Sequence, residues 1–225
     1  MSSTLLERPV VSTTSARRNP AIGMWVVLIG QLMLVLDATI VNVALPHIAT
    51  DLHFGSASLS WVLNAYSLAF GGLLLLGGRL GDVLGRRRVF MTGLAIFTIA
   101  SFAGGLAQAP WQLVTSRAFQ GVGAALSAPS VLALIATNAP NEGARNRALA
   151  AFAIISSGGA ALGLMIGGAL TDLVSWRWTM FVNVPIGIAV LLLVPGLVTE
   201  TARRHGRFDF IGAARCHQPG QRHSP

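Results

Sequence analysis

Of 225 residues, 53% are hydrophobic and only 11% charged, and the mean hydropathy is +0.64. That balance excludes an ordinary soluble globular domain, in which about 25% of residues are charged. The formal charge of +8 invites a nucleic-acid reading, which the positions of the basic residues decide.

A bilayer core about 30 Å thick needs roughly 20 apolar residues of helix. Six segments predict spans, at approximately 21–46, 57–78, 89–107, 111–137, 148–170 and 178–198. A bundle of soluble helices would show polar faces, whereas "ALAAFAIISSGGAALGLMIGGAL" (148–170) contains no charge. The first span is far longer than the roughly 7–15 apolar residues of a signal peptide, so it is expected to stay in the mature chain. The expected layout is a cytoplasmic tail over 1–20, a six-helix bundle over 21–198 and a second cytoplasmic tail over 199–225.

The first span holds a carboxylate, Asp37, in "LVLDATIVNVALP" (34–46). At 1.5 Å per residue it lies roughly 14 Å from the outer end of that segment, close to the midplane. An ionised group there needs a wet cavity or a partner, since its insertion costs at least about 2.5–3.5 kcal/mol. Such a carboxylate can take up a proton from one side and release it to the other. The alternative is a structural Asp bonded to the backbone around Thr39 and Asn42.

After the second span, "GGRLGDVLGRRRVF" (77–90) offers Gly78, Gly81 and Gly85 for a tight turn. Asp82 is placed to pair with one of Arg86, Arg87 and Arg88, or to accept from the first N–H groups of the third helix. Arg117 enters the fourth span, roughly 9 Å below the surface, and is long enough to snorkel outward. In the fifth span Gly159, Gly163 and Gly167 recur every four residues, a smooth stripe for close helix approach, with Gly168 beside it. Gln31, Asn42, Asn64, Tyr66, Gln120 and Asn183 are candidate polar lining beside Asp37, or interhelical hydrogen-bonding groups. Pro129 and Pro185 fall inside the fourth and sixth spans.

All basic residues are Arg, and all but Arg117 and Arg177 fall in the tails or in alternate loops. This asymmetry is the positive-inside rule, so both termini are expected in the cytoplasm and no nucleic-acid partner is needed. The single Cys, Cys216, excludes an intramolecular disulfide, and the five His are expected in loops, solvated. No zinc spacing, phosphate loop or nucleophile elbow is present in the sequence, and an enzyme reading has no supporting constellation.

A shift of about 90 residues lays Gly77, Gly78, Leu80, Asp82 and Arg87 over Gly167, Gly168, Leu170, Asp172 and Arg177. It also maps the first three spans onto the last three. Three helices per repeat is an odd number, so the copies must insert with opposite orientation. Inverted three-helix repeats are a transporter architecture, with sites near the midplane. The predicted fold class is an all-α membrane protein made of two such repeats.

These residues resemble the amino-terminal half of a major facilitator superfamily transporter, closest to the fourteen-helix drug:proton antiporters. "GRLGDVLGRRRVF" is similar to that superfamily's cytoplasmic loop signature at Gly78, Leu80, Asp82, Gly85, Arg86 and Arg87, which implies a gating loop. "RAFQGVGAA" resembles the fourth-helix signature at Arg117, Gln120, Gly121 and Gly123, and "GAALGLMIGG" the antiporter signature at Gly159, Gly163, Gly167 and Gly168. Asp37, Thr39, Asn42 and Pro46 are similar to the first-helix signature, and "WRWTMFVNVPIG" to the sixth-helix entry. In the family the glycine stripe faces the second half, a partner beyond this chain. Leu164 departs from the pattern, standing where the fifth-helix signature usually has Pro. Beyond "GRFDFIGAA" the polar "RCHQPGQRHSP" departs too, reading as a truncated or frame-shifted end.

The resemblance implies proton-coupled efflux of hydrophobic or cationic drugs, with Asp37 and Arg117 in proton coupling and the proton gradient in place of any cofactor. The expected location is the inner (plasma) membrane. The implied partners are the lipid bilayer, a small substrate, and a second transporter half or another copy of the chain. Two other readings are a half-transporter without activity of its own and a carrier of another small solute.

Overall fold

The computed structural model describes residues 20–200. Helix α1 spans Pro20–Asp51 and is followed by a one-turn α2 (Ser56–Leu59). Then come α3 (Trp61–Leu84), α4 (Arg86–Gly105), α5 (Pro110–Asn138), α6 (Glu142–Leu173), α7 (Arg177–Phe181) and α8 (Asn183–Leu197). Val182 joins α7 to α8 with helical angles (φ −59°, ψ −28°), so the two form one continuous span. With α7 and α8 taken together, six helices are long and apolar enough to cross a bilayer, and the described residues include no strand.

Several helices outrun the apolar segments that announced them. At 32 residues α1 is about 48 Å long, well beyond the hydrocarbon core, because His47 and Asp51 end the apolar run without ending the helix. His47 therefore lies in α1 and not in a loop, with Nε2 3.9 Å from Asp172 of α6. His205, Cys216, His217 and His223 fall outside the described residues.

The glycine-rich turn after α3 is also tighter than expected. Gly78 and Gly81 are still helical, and the connection to α4 is the single residue Gly85. Its φ of +103° suits glycine, and a Cβ there would sit 2.6 Å from Glu200 Oε1.

The inverted repeat is visible in the packing. One unit is α1, α3 and α4; the other is α5, α6 and α7–α8. The main partners of α1 are α6 and α8 from the second unit, and those of α5 are α3 and α4 from the first. Each leading helix thus crosses over to grip the other unit, and α4 packs on α8 across the pseudo-symmetry axis.

Two arginines repeat the relation at single-residue scale. Arg87, opening α4, donates through Nη1 to the carbonyls of Pro195 and Val198 at the end of α8. Arg177, opening α7, donates through Nη1 to the carbonyls of Gly105 and Ala107 at the end of α4. Each places a cation where a helix leaves its last carbonyls unpaired. A carboxylate completes each corner: Glu200 lies 3.7 Å from Arg87, and Asp51 lies 3.1 Å from Arg177.

The apolar core is split into two clusters. One contains Leu28, Met33, Leu34, Phe90, Phe97, Leu134 and Val190. The other contains Ile40, Val41, Ile48, Leu113, Trp176 and Met180. Between them, on four helices, lies a polar layer formed by Asp37, Ser101, Arg117, Gln120 and Asn183.

Candidate functional site: a sealed carboxylate between two apolar layers

Asp37 sits near the middle of α1 and is 0% exposed; Arg117 of α5 is 1% exposed. Arg117 Nη1 donates to Asp37 Oδ2 at 2.6 Å. The other carboxylate oxygen, Oδ1, accepts from Gln120 Nε2 at 2.9 Å and from Asn183 Nδ2 at 2.8 Å. Both oxygens are thus satisfied by side chains, and the backbone pairing considered for Asp37 is not formed. Thr39 donates instead to the carbonyls of Val35 and Leu36, and Asn42 to that of Ala38.

The network extends outward in a defined order. Arg117 also donates to Gln120 Oε1 at 2.8 Å and, through Nε, to the Val62 carbonyl of α3 at 3.2 Å. Its guanidinium carbon lies 4.4 Å from the centroid of Tyr66, a cation–π contact that takes the place of water on that side. Gln120 Nε2 also donates to Ser101 of α4 at 2.8 Å, and Ser101 donates to the Phe97 carbonyl. Helices α1, α3, α4, α5 and α8 all contribute. Arg117 does not snorkel; it points across the bundle to its carboxylate.

Among the polar residues singled out in the sequence, Gln120, Asn183 and Tyr66 reach this network. Asn42 and Asn64 are exposed, and Gln31 is buried with Oε1 unpartnered, away from Asp37. Ser101 and the Val62 carbonyl were not anticipated.

Helix α6 stays outside the network and meets α1 through its glycines. A Cβ at Gly159 would lie 3.1 Å from Leu32, one at Gly163 would overlap Thr39 Oγ1, and one at Gly167 would lie 3.0 Å from the Ile40 carbonyl. The stripe is therefore buried inside this bundle, which corrects the expectation that it faces a second half. The outward face of α6 carries Leu162, Leu164, Met165 and Ile166, and Gly168 is open, with Val43 3.9 Å from its would-be Cβ.

In the signature between α3 and α4, Arg86 Nη2 contacts Asp82 Oδ1 at 2.6 Å, one helical turn apart. A Cβ at Gly81 would meet the Arg86 side chain at 2.7 Å. Arg87 is directed elsewhere, to the end of α8. Gly78 lies near Pro129 of α5, 3.9 Å from its would-be Cβ.

A buried ion pair between swapped inverted repeats of membrane-crossing helices defines half of a secondary-transporter fold. The chain belongs to the Major Facilitator Superfamily, whose family model matches residues 27–217. It is similar to the MFS-type transporter EfpA of Mycobacterium tuberculosis, with 48% identity over 183 residues, 81% of this chain and 34% of that protein. It is also similar to the puromycin resistance protein pur8 of Streptomyces alboniger (47% identity, 88% of this chain, 38% of that protein). The cephamycin export protein CmcT of Amycolatopsis lactamdurans is a further relative, at 45% identity over 80% of this chain and 38% of its own length. The chain spans little more than a third of these relatives. Among solved structures, an inward-facing bacterial homolog of the human lysosomal transporter Spinster shares the fold, with a TM-score of 0.67 and 19% identity over 87% of this chain and 48% of that one.

Proposed function

We propose that this bundle is the proton-coupling half of an exporter of hydrophobic or cationic compounds, working together with a second six-helix bundle. The observation that carries the proposal is Asp37: a carboxylate at mid-helix, closed to solvent, held by an arginine and an amide of α5 and an amide of α8. Relatives at 45–47% identity bear the names of a puromycin resistance protein and a cephamycin export protein, which supports export over uptake.

Uptake of a proton by Asp37 would cancel its charge and weaken the hold of Arg117. Arg117 would then keep Gln120, the Val62 carbonyl and the Tyr66 ring as partners, so the cation is not stranded. Alternating access needs one bundle to rock against another, which is why activity is assigned to the two together. The same reading places both termini in the cytoplasm of a plasma-membrane protein, with Asp82 and Arg86 in a gating corner.

The test is export by this chain joined to the second half of the EfpA relative, in cells stripped of their own pumps. Loss of puromycin or a fluorescent cationic dye from such cells should stop when an ionophore collapses the proton gradient. Export that persists after collapse would overturn proton coupling.

A further inference from the structure

We propose that the cleft between the first turns of α1 and α6 is a binding site for an anionic phospholipid of the cytoplasmic leaflet. The leaflet assignment rests on the orientation proposed above. The cleft holds about 270 Å³ and is lined by Ala21, Met24, Trp25 and Leu28 of α1 and by Ala144, Arg147, Ala148 and Ala151 of α6, with Pro140 and Asn141 at its mouth.

Its chemistry is graded along the membrane normal. The seven residue steps from Ala21 to Leu28 cover roughly 10 Å of depth. Polar groups lie at the mouth: Asn141, which caps α6 by accepting from the Ala144 N–H at 2.8 Å, and Arg147. Leu28 and Ala151, the lining residues farthest along α1 and α6 from Asn141, are apolar, as are Met24 and Ala148. Trp25, 58% exposed, stands at the edge, where an indole favours the headgroup level. A headgroup phosphate at the mouth with an acyl chain along the inner wall fits that gradient.

Charge decides which headgroup. Arg147 is exposed and makes no ion pair or side-chain hydrogen bond among the described residues; Arg145, two residues earlier on the opposite side of α6, is likewise unpaired but does not line the cleft. Most other basic side chains described in the bundle are engaged: Arg86 with Asp82, Arg87 and Arg88 with Glu200, Arg117 with Asp37 and Arg177 with Asp51. Glu142 lies in the first turn of α6 but does not line the cleft. Two further lipid-facing grooves, between α4 and α5 and between α1 and α8, have no charged lining residue and so offer nothing to select a headgroup. Basic pockets between spanning helices on the cytoplasmic side hold anionic headgroups, at about 1 kcal/mol for each Arg near the surface.

The chain is reconstituted in nanodiscs containing brominated phosphatidylglycerol or brominated phosphatidylcholine with the same acyl chains. The readout is the part of the tryptophan quenching that disappears in Trp25→Phe. Phosphatidylglycerol is expected to be preferred about fivefold, the equivalent of that single Arg contribution. The preference should fall to near unity in Arg147→Gln and survive in Arg147→Lys, which also controls for folding. Equal quenching by both lipids in the unaltered chain, or a preference unchanged in Arg147→Gln, would overturn the proposal. Displacement of phosphatidylglycerol by millimolar inorganic phosphate would do so as well, since the cleft would then bind a free anion. Labelling of Cys216 by an impermeant maleimide in intact cells would overturn the leaflet assignment alone.

Discussion

Replacing Arg117 by Ala strands a carboxylate that is 0% exposed, and replacing Asp37 by Ala strands the guanidinium. Removing one partner of a buried pair costs about 3–5 kcal/mol, whereas replacing both by apolar residues of similar volume is often neutral. Reversible unfolding in mixed micelles should therefore show each single Ala variant losing that amount and Asp37→Leu/Arg117→Met losing much less than their sum. Additive losses would mean that the two side chains do not hold each other. Both charges stood out in the sequence because ionised groups in apolar spans are rare. Their pairing did not: they are 80 residues apart, and only the register of two helices brings them within 2.6 Å. Ser101 gave no signal, because a helical serine most often bonds its own preceding turn, as this one also does through the Phe97 carbonyl.

Among helices, the seam between α1 and α6 is set by the absence of side chains. A methyl group at Gly163 would overlap the Thr39 hydroxyl, while one at Gly168 meets only Val43 at 3.9 Å. Gly163→Ala should cost about 1–3 kcal/mol as overpacking, and Gly168→Ala should be near neutral, read as thermal stability of the purified chain. Equal effects at the two positions would place the contact elsewhere. The four-residue period made a packing stripe legible, but a period carries no information about which helix fills it. The partner proved to be α1, inside the same bundle. The one-residue turn at Gly85 was obscured in a similar way. Glycines at 78, 81 and 85 all suggest a turn, but the first two are helical residues of α3, Gly81 leaving room for the Arg86 side chain, and only Gly85 adopts φ +103°.

Over the whole molecule, six spans and an inverted repeat were readable from hydropathy and from an odd helix count. The crossing-over of α1 and α5 between the units was not, since it is a property of packing alone. That arrangement brings side chains from α5 and α8 onto the α1 carboxylate, with α3 and α4 holding those side chains in turn, and it makes Asp37 the residue on which the transport proposal stands. Exchange of Asp37 for Asn preserves shape while removing the titratable group. The most direct test is gradient-driven dye export by the two-bundle protein carrying Asp37→Asn, with membrane insertion checked in the same cells. Normal insertion with export lost is the predicted result. Normal insertion with gradient-driven export intact would contradict it and leave Asp37 as a structural hydrogen-bonding residue.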